Sequence, residues 1–295
     1  MFTGKVYKGD FLHIVGEVQN SGSVNLEDFE IEAAYFDPNG LTIDAGPTHL
    51  ERDPGLLRPG EKAPFMLILL DEEAGKRVAS YELVLDFSAT TEEPYELQIL
   101  GDRAFVSKQG FYHVIGEVQN ASQSNIESVR VYVTFYDESG TVIDIGFTFS
   151  GIIGLGTLTP GQKSPFDVYS GRADVKESVH SHSLHGEARV TDRVIYRQFQ
   201  ILNHESKVGI LGDYIVEGTI KNIGDQDVKF VKVVGTFYGA DKKLAAAASA
   251  FTDPRDLEAG EIGQFELSTY RYKFEYEVRP EDIESYDLAF ECSTY

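Results

Sequence analysis

The side chains best suited to chemistry lie in His180-Ser181-His182-Ser183-Leu184-His185. On a strand, alternate residues share a face, so His180 and His182 point together. They could chelate zinc or copper, with an acidic side chain completing the set and His185 three positions further on. Ordinary strand substitution competes with this reading, because spacing alone leaves ligand number and supporting groups unspecified. Asp37, Asn39 and Asp44, and again Asp137 and Asp144, offer hard oxygens to calcium. Turn capping accounts for the first of each set, and a calcium site needs six or more ligands. No Gly-x-Ser-x-Gly elbow and no His-Glu-x-x-His occurs, and Cys292 is the single cysteine. With 48 acidic residues, a chance carboxylate pair carries no information. The chain reads as non-enzymatic, without a cofactor unless copper, zinc or calcium is held at the groups above.

Two segments read as contact surfaces. Tyr270-Arg271-Tyr272-Lys273-Phe274-Glu275-Tyr276 alternates rings with charges, so a strand there lines Tyr270, Tyr272, Phe274 and Tyr276 along one face. Exposed, that face is a platform for a protein or a glycan; buried, it is a core face. Gly151-Ile152-Ile153-Gly154-Leu155-Gly156 is an apolar loop with Ile152, Ile153 and Leu155 available for packing against a neighbouring segment or a partner. It lacks the spacing, the lysine and the helix of a phosphate cradle.

The elements that must position these groups come in three copies. His13-Ile14-Val15-Gly16-Glu17-Val18-Gln19-Asn20 returns as His113-Val114-Ile115-Gly116-Glu117-Val118-Gln119-Asn120, and more faintly as Ile215-Val216-Glu217-Gly218-Thr219-Ile220-Lys221-Asn222. A period of about a hundred residues is a whole folding unit, since solenoid repeats run roughly 20–50 residues. The copies are 1–92, 93–193 and 194–295. Each continues with an alternating run: Phe29, Ile31, Ala33, Tyr35; Val129, Val131, Val133, Phe135; Val231, Val233, Gly235, Phe237. Period two marks a half-buried strand. A turn follows at Asp37-Pro38-Asn39-Gly40 and Asp137-Glu138-Ser139-Gly140, and another centres on Gly60, Gly161 and Gly260, where glycine tolerates positive φ. Phe65, Phe166 and Phe265 open the next strand. Asn20, Asn120 and Asn222 occupy one turn position; Asn120-Ala121-Ser122 is also a glycosylation sequon, which the other two copies lack. In this alignment His182 replaces Tyr81 and Tyr286, and His185 replaces Val84. Many short strands without helical periodicity predict an all-β chain of three tandem immunoglobulin-like β-sandwiches.

Lys and Arg number 26 against 48 Asp and Glu, a formal charge of −22, which repels phosphate backbones and excludes nucleic acid as a partner. The longest aliphatic stretch, Met66 to Leu70, is far shorter than the ~20 residues of a membrane span. The copies join without Gly/Ser or Pro-rich linkers, which predicts a semi-rigid rod of roughly 100 Å. No segment before Lys5 matches those preceding copies two and three, which predicts a truncated first strand and an upstream signal or anchor. The open edge would accept another copy of the chain by strand addition.

Gly-x-Val-x-Asn, valine alternation into Phe135-Tyr136-Asp137-Glu138-Ser139-Gly140, and Leu158-Thr159-Pro160-Gly161-Gln162-Lys163-Ser164-Pro165-Phe166 together resemble the FxLYD domain family. Copy one reads Tyr35-Phe36-Asp37 instead, and copy three loses the Asp and the Pro. The resemblance covers most of all three copies. It implies an immunoglobulin-like fold and an extracytoplasmic setting in archaea or bacteria, with no catalytic residues to carry over. The function it implies is a surface scaffold, spacer or adhesin whose partners are other cell-surface proteins or copies of itself. The rival reading is a periplasmic metal- or ligand-binding module built on His180, His182 and His185.

Overall fold

A computed structural model describes residues 2–8, 11–43, 49–52, 56–91, 95–272 and 277–294. The chain is all-β, 60% strand against 6% helix, so sheets alone position whatever site exists. Copy one supplies β1 (Phe2–Lys8), β2 (Phe11–Gln19), β3 (Asn25–Phe36), β4 (Thr42–Ile43), β5 (His49–Arg52), β6 (Lys62–Leu69) and β7 (Ser80–Thr90), with a short helix α1 (Glu72–Arg77) before the last. Copy two supplies β8 (Leu97–Val106), β9 (Tyr112–Asn120), β10 (Ile126–Tyr136), β11 (Val142–Phe149), α2 (Ser150–Ile153), β12 (Thr157–Leu158), β13 (Lys163–Tyr169) and β14 (Ser181–Val190). Copy three supplies β15 (Phe199–Val208), β16 (Tyr214–Asn222), β17 (Lys229–Tyr238), β18 (Leu244–Phe251), β19 (Ile262–Ser268) and β20 (Ser285–Ser293).

Each copy contributes two sheets of corresponding order. The first kind is β1-β2-β6-β5, β8-β9-β13 and β15-β16-β19; the second is β4-β3-β7, β11-β10-β12 with β14 also on β10, and β18-β17-β20. The second strand of each copy is central in the first kind, and the third strand is central in the second. A residue of positive φ kinks that third strand at one equivalent place: Asp28, Ser128 and Phe230. The register slips there in β3 and β17, as a β-bulge requires.

Copy one has an opening strand, β1. Residues Phe2 to Lys8 pair antiparallel with Glu17 back to Phe11. Its described pairing begins opposite Glu17, whereas that of β8 begins opposite Asn120.

Apolar burial is divided. One cluster draws Leu12, Ile14, Val18, Phe65 and Leu67 from the first sheet of copy one and Phe29, Ile31 and Tyr35 from its second. Another gathers Val216, Ile220, Val231, Val233, Phe237, Leu244 and Leu267 of copy three together with Ile115 of copy two. Contacts divide the chain into two compact units: 1–94 with 132–147 and 169–187, and 95–131 with 148–168 and 188–295. The boundary therefore passes through copy two.

Each copy is pinned by one asparagine. Asn20 Nδ2 donates to Val24 and Leu57 carbonyls at 2.8 and 2.9 Å, while its Oδ1 accepts from Gly22 N at 2.9 Å. Asn120 does the same with Ser124, Leu158 and Ser122, and Asn222 with Gln226, Leu257 and Gly224. All three are buried, so Asn120 offers its side chain to the protein rather than to a glycan. Gly60, Gly161 and Gly260 have φ of 84°, 78° and 83° in turns closed by Glu61 N–Arg58 O, Gln162 N–Thr159 O and Glu261 N–Glu258 O bonds.

Candidate functional site

Strands β2 and β9 are buried on both faces, whereas β16 is not. Every residue from Leu12 to Val18 and from His113 to Val118 is buried, but in β16 only Val216, Ile220 and Asn222 are. The same contrast holds next door: β6 and β13 are buried without a break from Ala63 to Leu67 and from Ser164 to Val168, while β19 alternates. A strand buried on both sides has a second layer over it. The outward row is His13, Val15, Glu17 and Met66 in copy one, and His113, Ile115, Glu117 and Asp167 in copy two. In copies one and two the second layer is the copy that follows.

Each of these joints is closed by a tyrosine on a buried glutamate. Tyr136 at the end of β10 donates its hydroxyl to Glu17 Oε1 at 2.5 Å, and Tyr238 at the end of β17 donates to Glu117 Oε1 at 2.8 Å. Burial and the facing carboxylate raise both phenol pKa values above the ordinary range, so the protons stay on the tyrosines. Glu17 and Glu117 are 4% and 7% exposed, and a carboxylate that dry needs a donor. Copy one carries Phe36 where its followers carry Tyr136 and Tyr238, and copy three carries Thr219 where the others carry the glutamate. The phenol and its acceptor therefore occur only where they meet.

The first joint, within the first unit, is mostly apolar around this pair. Val15 and Met66 pack with Val142 and Ile145 and with the Tyr136 ring. His13 Nδ1 lies 3.4 Å from Met66 Sδ. Ser183 Oγ is 2.8 Å from the Tyr136 hydroxyl. Glu17 Oε2 and His185 Nε2 have no hydrogen-bond partner among the described residues. His185 is buried with Nδ1 3.7 Å from Glu61 and Nε2 3.8 Å from Glu187. Desolvation pushes its pKa down to about 4, with Arg58 adding to that and Glu61 opposing it.

The second joint, within the second unit, is laced with charge. His113 Nδ1 lies 2.9 Å from Asp167 Oδ1, both buried. Asp167 Oδ2 is 3.4 Å from Arg271 Nη2 and accepts from the Tyr272 hydroxyl at 3.4 Å. Lys163 Nζ stands 3.7 Å from Glu117 Oε2. Glu291 accepts from Gly156 N, Thr157 N and Thr157 Oγ1 at 2.9, 3.1 and 3.2 Å, and Lys232 bridges Glu291 to the Gly154 carbonyl.

The histidines expected to bind metal are not brought together. His180 is exposed ahead of β14, His182 is half-buried, and His185 is buried in the first joint. Among the described residues, no three His, Cys, Asp or Glu side chains are grouped to hold a metal ion. Asp37 and Asp137 cap their own turns: Asp37 Oδ1 accepts from Asn39 N and Leu41 N, and Asp137 Oδ1 from Ser139 and Thr141 N. These bonds hold both carboxyls below the usual range, led by the Leu41 amide for Asp37 and the Ser139 hydroxyl for Asp137. Asp144 is fully buried and accepts from Ser170 Oγ at 2.6 Å; Asp44 lies outside the described residues. Residues 270–272 are helical rather than extended, with Tyr270 exposed and Tyr272 buried against Asp167; Phe274 and Tyr276 lie outside the described residues, as does the Ile152 side chain. Ile153 packs against the copy-three cluster, and Leu155 is buried with its N–H on Ser164 Oγ at 2.7 Å. Burial pushes the Cys292 thiol up to about 11, so it is protonated at neutral pH.

Sequence reasoning missed Glu17, Glu117, Tyr136, Tyr238 and Asp167. A signal existed in the copy-to-copy exceptions: a glutamate inside a buried strand in two copies but not the third, and a tyrosine in two copies but not the first.

No family model matches the chain. An uncharacterized protein of Methanocaldococcus jannaschii is 34% identical over 74 residues, 25% of this chain and 52% of its own length. The chain thus spans about half the length of that curated relative. A β-glucuronidase of glycoside hydrolase family 2 aligns over 84% of this chain and 24% of its own at 11% identity and a TM-score of 0.20, a likeness that carries no argument.

Proposed function

We propose that the chain is a non-enzymatic extracytoplasmic scaffold or spacer of a prokaryotic cell surface, a rod of three immunoglobulin-like, FxLYD-type copies acting through protein contacts. The observation that carries this reading is the pair of joints, where Tyr136 meets Glu17 and Tyr238 meets Glu117. Each joint is a dry, hydrogen-bonded contact between a copy and part of the next, the kind of contact a spacer uses in place of a flexible linker. The side chains shared by all three copies, Asn20, Asn120 and Asn222, serve turns, which favours architecture over catalysis. The surface setting rests on the motif resemblance and on the acidic charge. Small-angle scattering of the full chain tests it: a maximum dimension of roughly 100 Å is expected, and a compact particle overturns the rod. Among the described residues no helix is long and apolar enough to cross a membrane.

A further inference from the structure

In copy three the sheet face through which copies one and two hold their followers is not buried: Glu217 and Thr219 are half-buried, and Gln264 and Glu266 are exposed. Where copies one and two place Val15 or Ile115, copy three has Glu217; where they place Met66 or Asp167, it has Glu266; Thr219 replaces the glutamate that receives a tyrosine. With Asn203, His204 and Glu205 of β15, and with Phe251 and Asp253, these side chains line a cleft of about 710 Å³. We propose that this cleft is a docking surface for a cationic polypeptide segment presenting arginine beside tyrosine.

Two independent observations select that occupant. The first is the second joint itself, where Asp167, at the position of Glu266, takes Arg271 and the Tyr272 hydroxyl from the following copy. The second is charge. Glu205, Glu217, Glu266 and Asp253 surround the cleft, and the nearby Lys207 is engaged by Glu217. An apolar layer like the one over Val15 would strip water from these carboxylates without supplying a donor in its place, which disfavours it. A second copy of this chain, at a net charge of −22, is repelled by the same groups. Phe251, 44% exposed, offers a ring face to an incoming guanidinium or phenol.

This inference rests on the reading of the chain as a contact-making scaffold, and its test separates the two. The full chain is titrated at physiological ionic strength with a short peptide of alternating arginine and tyrosine, followed by calorimetry. Glu217→Gln with Glu266→Gln is expected to weaken binding about ten-fold, while Glu72→Gln with Glu73→Gln on α1 leaves it unchanged. Equal loss in both variants, or no saturable binding, overturns the docking surface. So does binding of a neutral oligosaccharide in place of the peptide, or self-association that the Glu217/Glu266 variant abolishes. Scattering on the same variants reports the scaffold separately: an unchanged extended particle leaves it standing whatever the peptide does.

Discussion

The two joints use one geometry and two chemistries. Both seat a tyrosine hydroxyl on a buried glutamate, yet the first surrounds that pair with Val15, Met66, Val142 and Ile145, and the second with His113, Asp167, Arg271 and Lys163. The difference lies in how the second glutamate oxygen is treated. Glu117 Oε2 faces Lys163 at 3.7 Å, whereas Glu17 Oε2 has no hydrogen-bond partner among the described residues. An apolar joint associates without direction and leans on its few polar contacts for register, while a charged joint spreads register over more of them. The hydroxyl of Tyr136 should accordingly matter more than that of Tyr238.

The largest expected effect breaks the charged joint. Asp167→Ala removes a carboxylate from His113, Arg271 and Tyr272 and should destabilise the second unit by about 3–5 kcal/mol in denaturant unfolding. Met66→Ala, the equivalent change in the first joint, should fall nearer about 2 kcal/mol, as for a partly refilled apolar cavity. Equal losses would erase the distinction between the joints.

The next effect is pH, carried by His185 in the first joint. His185 has its folded pKa depressed to about 4, so below its ordinary value near 6.5 the unfolded chain takes up the proton first. Stability is therefore complete above about pH 6.5 and declines by a few kcal/mol as pH falls toward 4. Denaturation midpoints of wild type and His185→Phe across that window isolate the contribution, which the variant should lack. Parallel curves would show that His185 is solvated in the folded state.

Smaller effects test the hydroxyls. Tyr136→Phe should cost about 2 kcal/mol and Tyr238→Phe about 1, because only Glu117 keeps a lysine nearby. Hydrogen exchange in β2 and β9 would localise each loss, and the reverse order would overturn the comparison. The smallest effect is the most telling. Glu17→Thr with Tyr136→Phe copies the residues found at Thr219 and Phe36, and should lie within about 1 kcal/mol of wild type, since removing both partners leaves no buried orphan.

The repeat was legible because Gly16, Gly116 and Gly218, the asparagines after them and the Phe65, Phe166 and Phe265 positions answer to local geometry, which each copy must satisfy alone. The candidate sites were less so. His185 read as a metal ligand from its neighbours in sequence, although its neighbours in space are Glu61 and Glu187. The segment from Tyr270 read as a possible strand from its alternation; a helical turn at residues 270–272 instead points Tyr272 to Asp167.

From the amino-acid order alone come the all-β character, the three copies, the turns and the acidity, because strand periodicity and turn chemistry act over a few residues. Only the tertiary structure decided that β2 and β9 are covered on their outer faces and that β16 is open. A glutamate in a strand reads the same in sequence whether water or a tyrosine from the next copy meets it, and desolvation, which separates the two, depends on what lies across the gap.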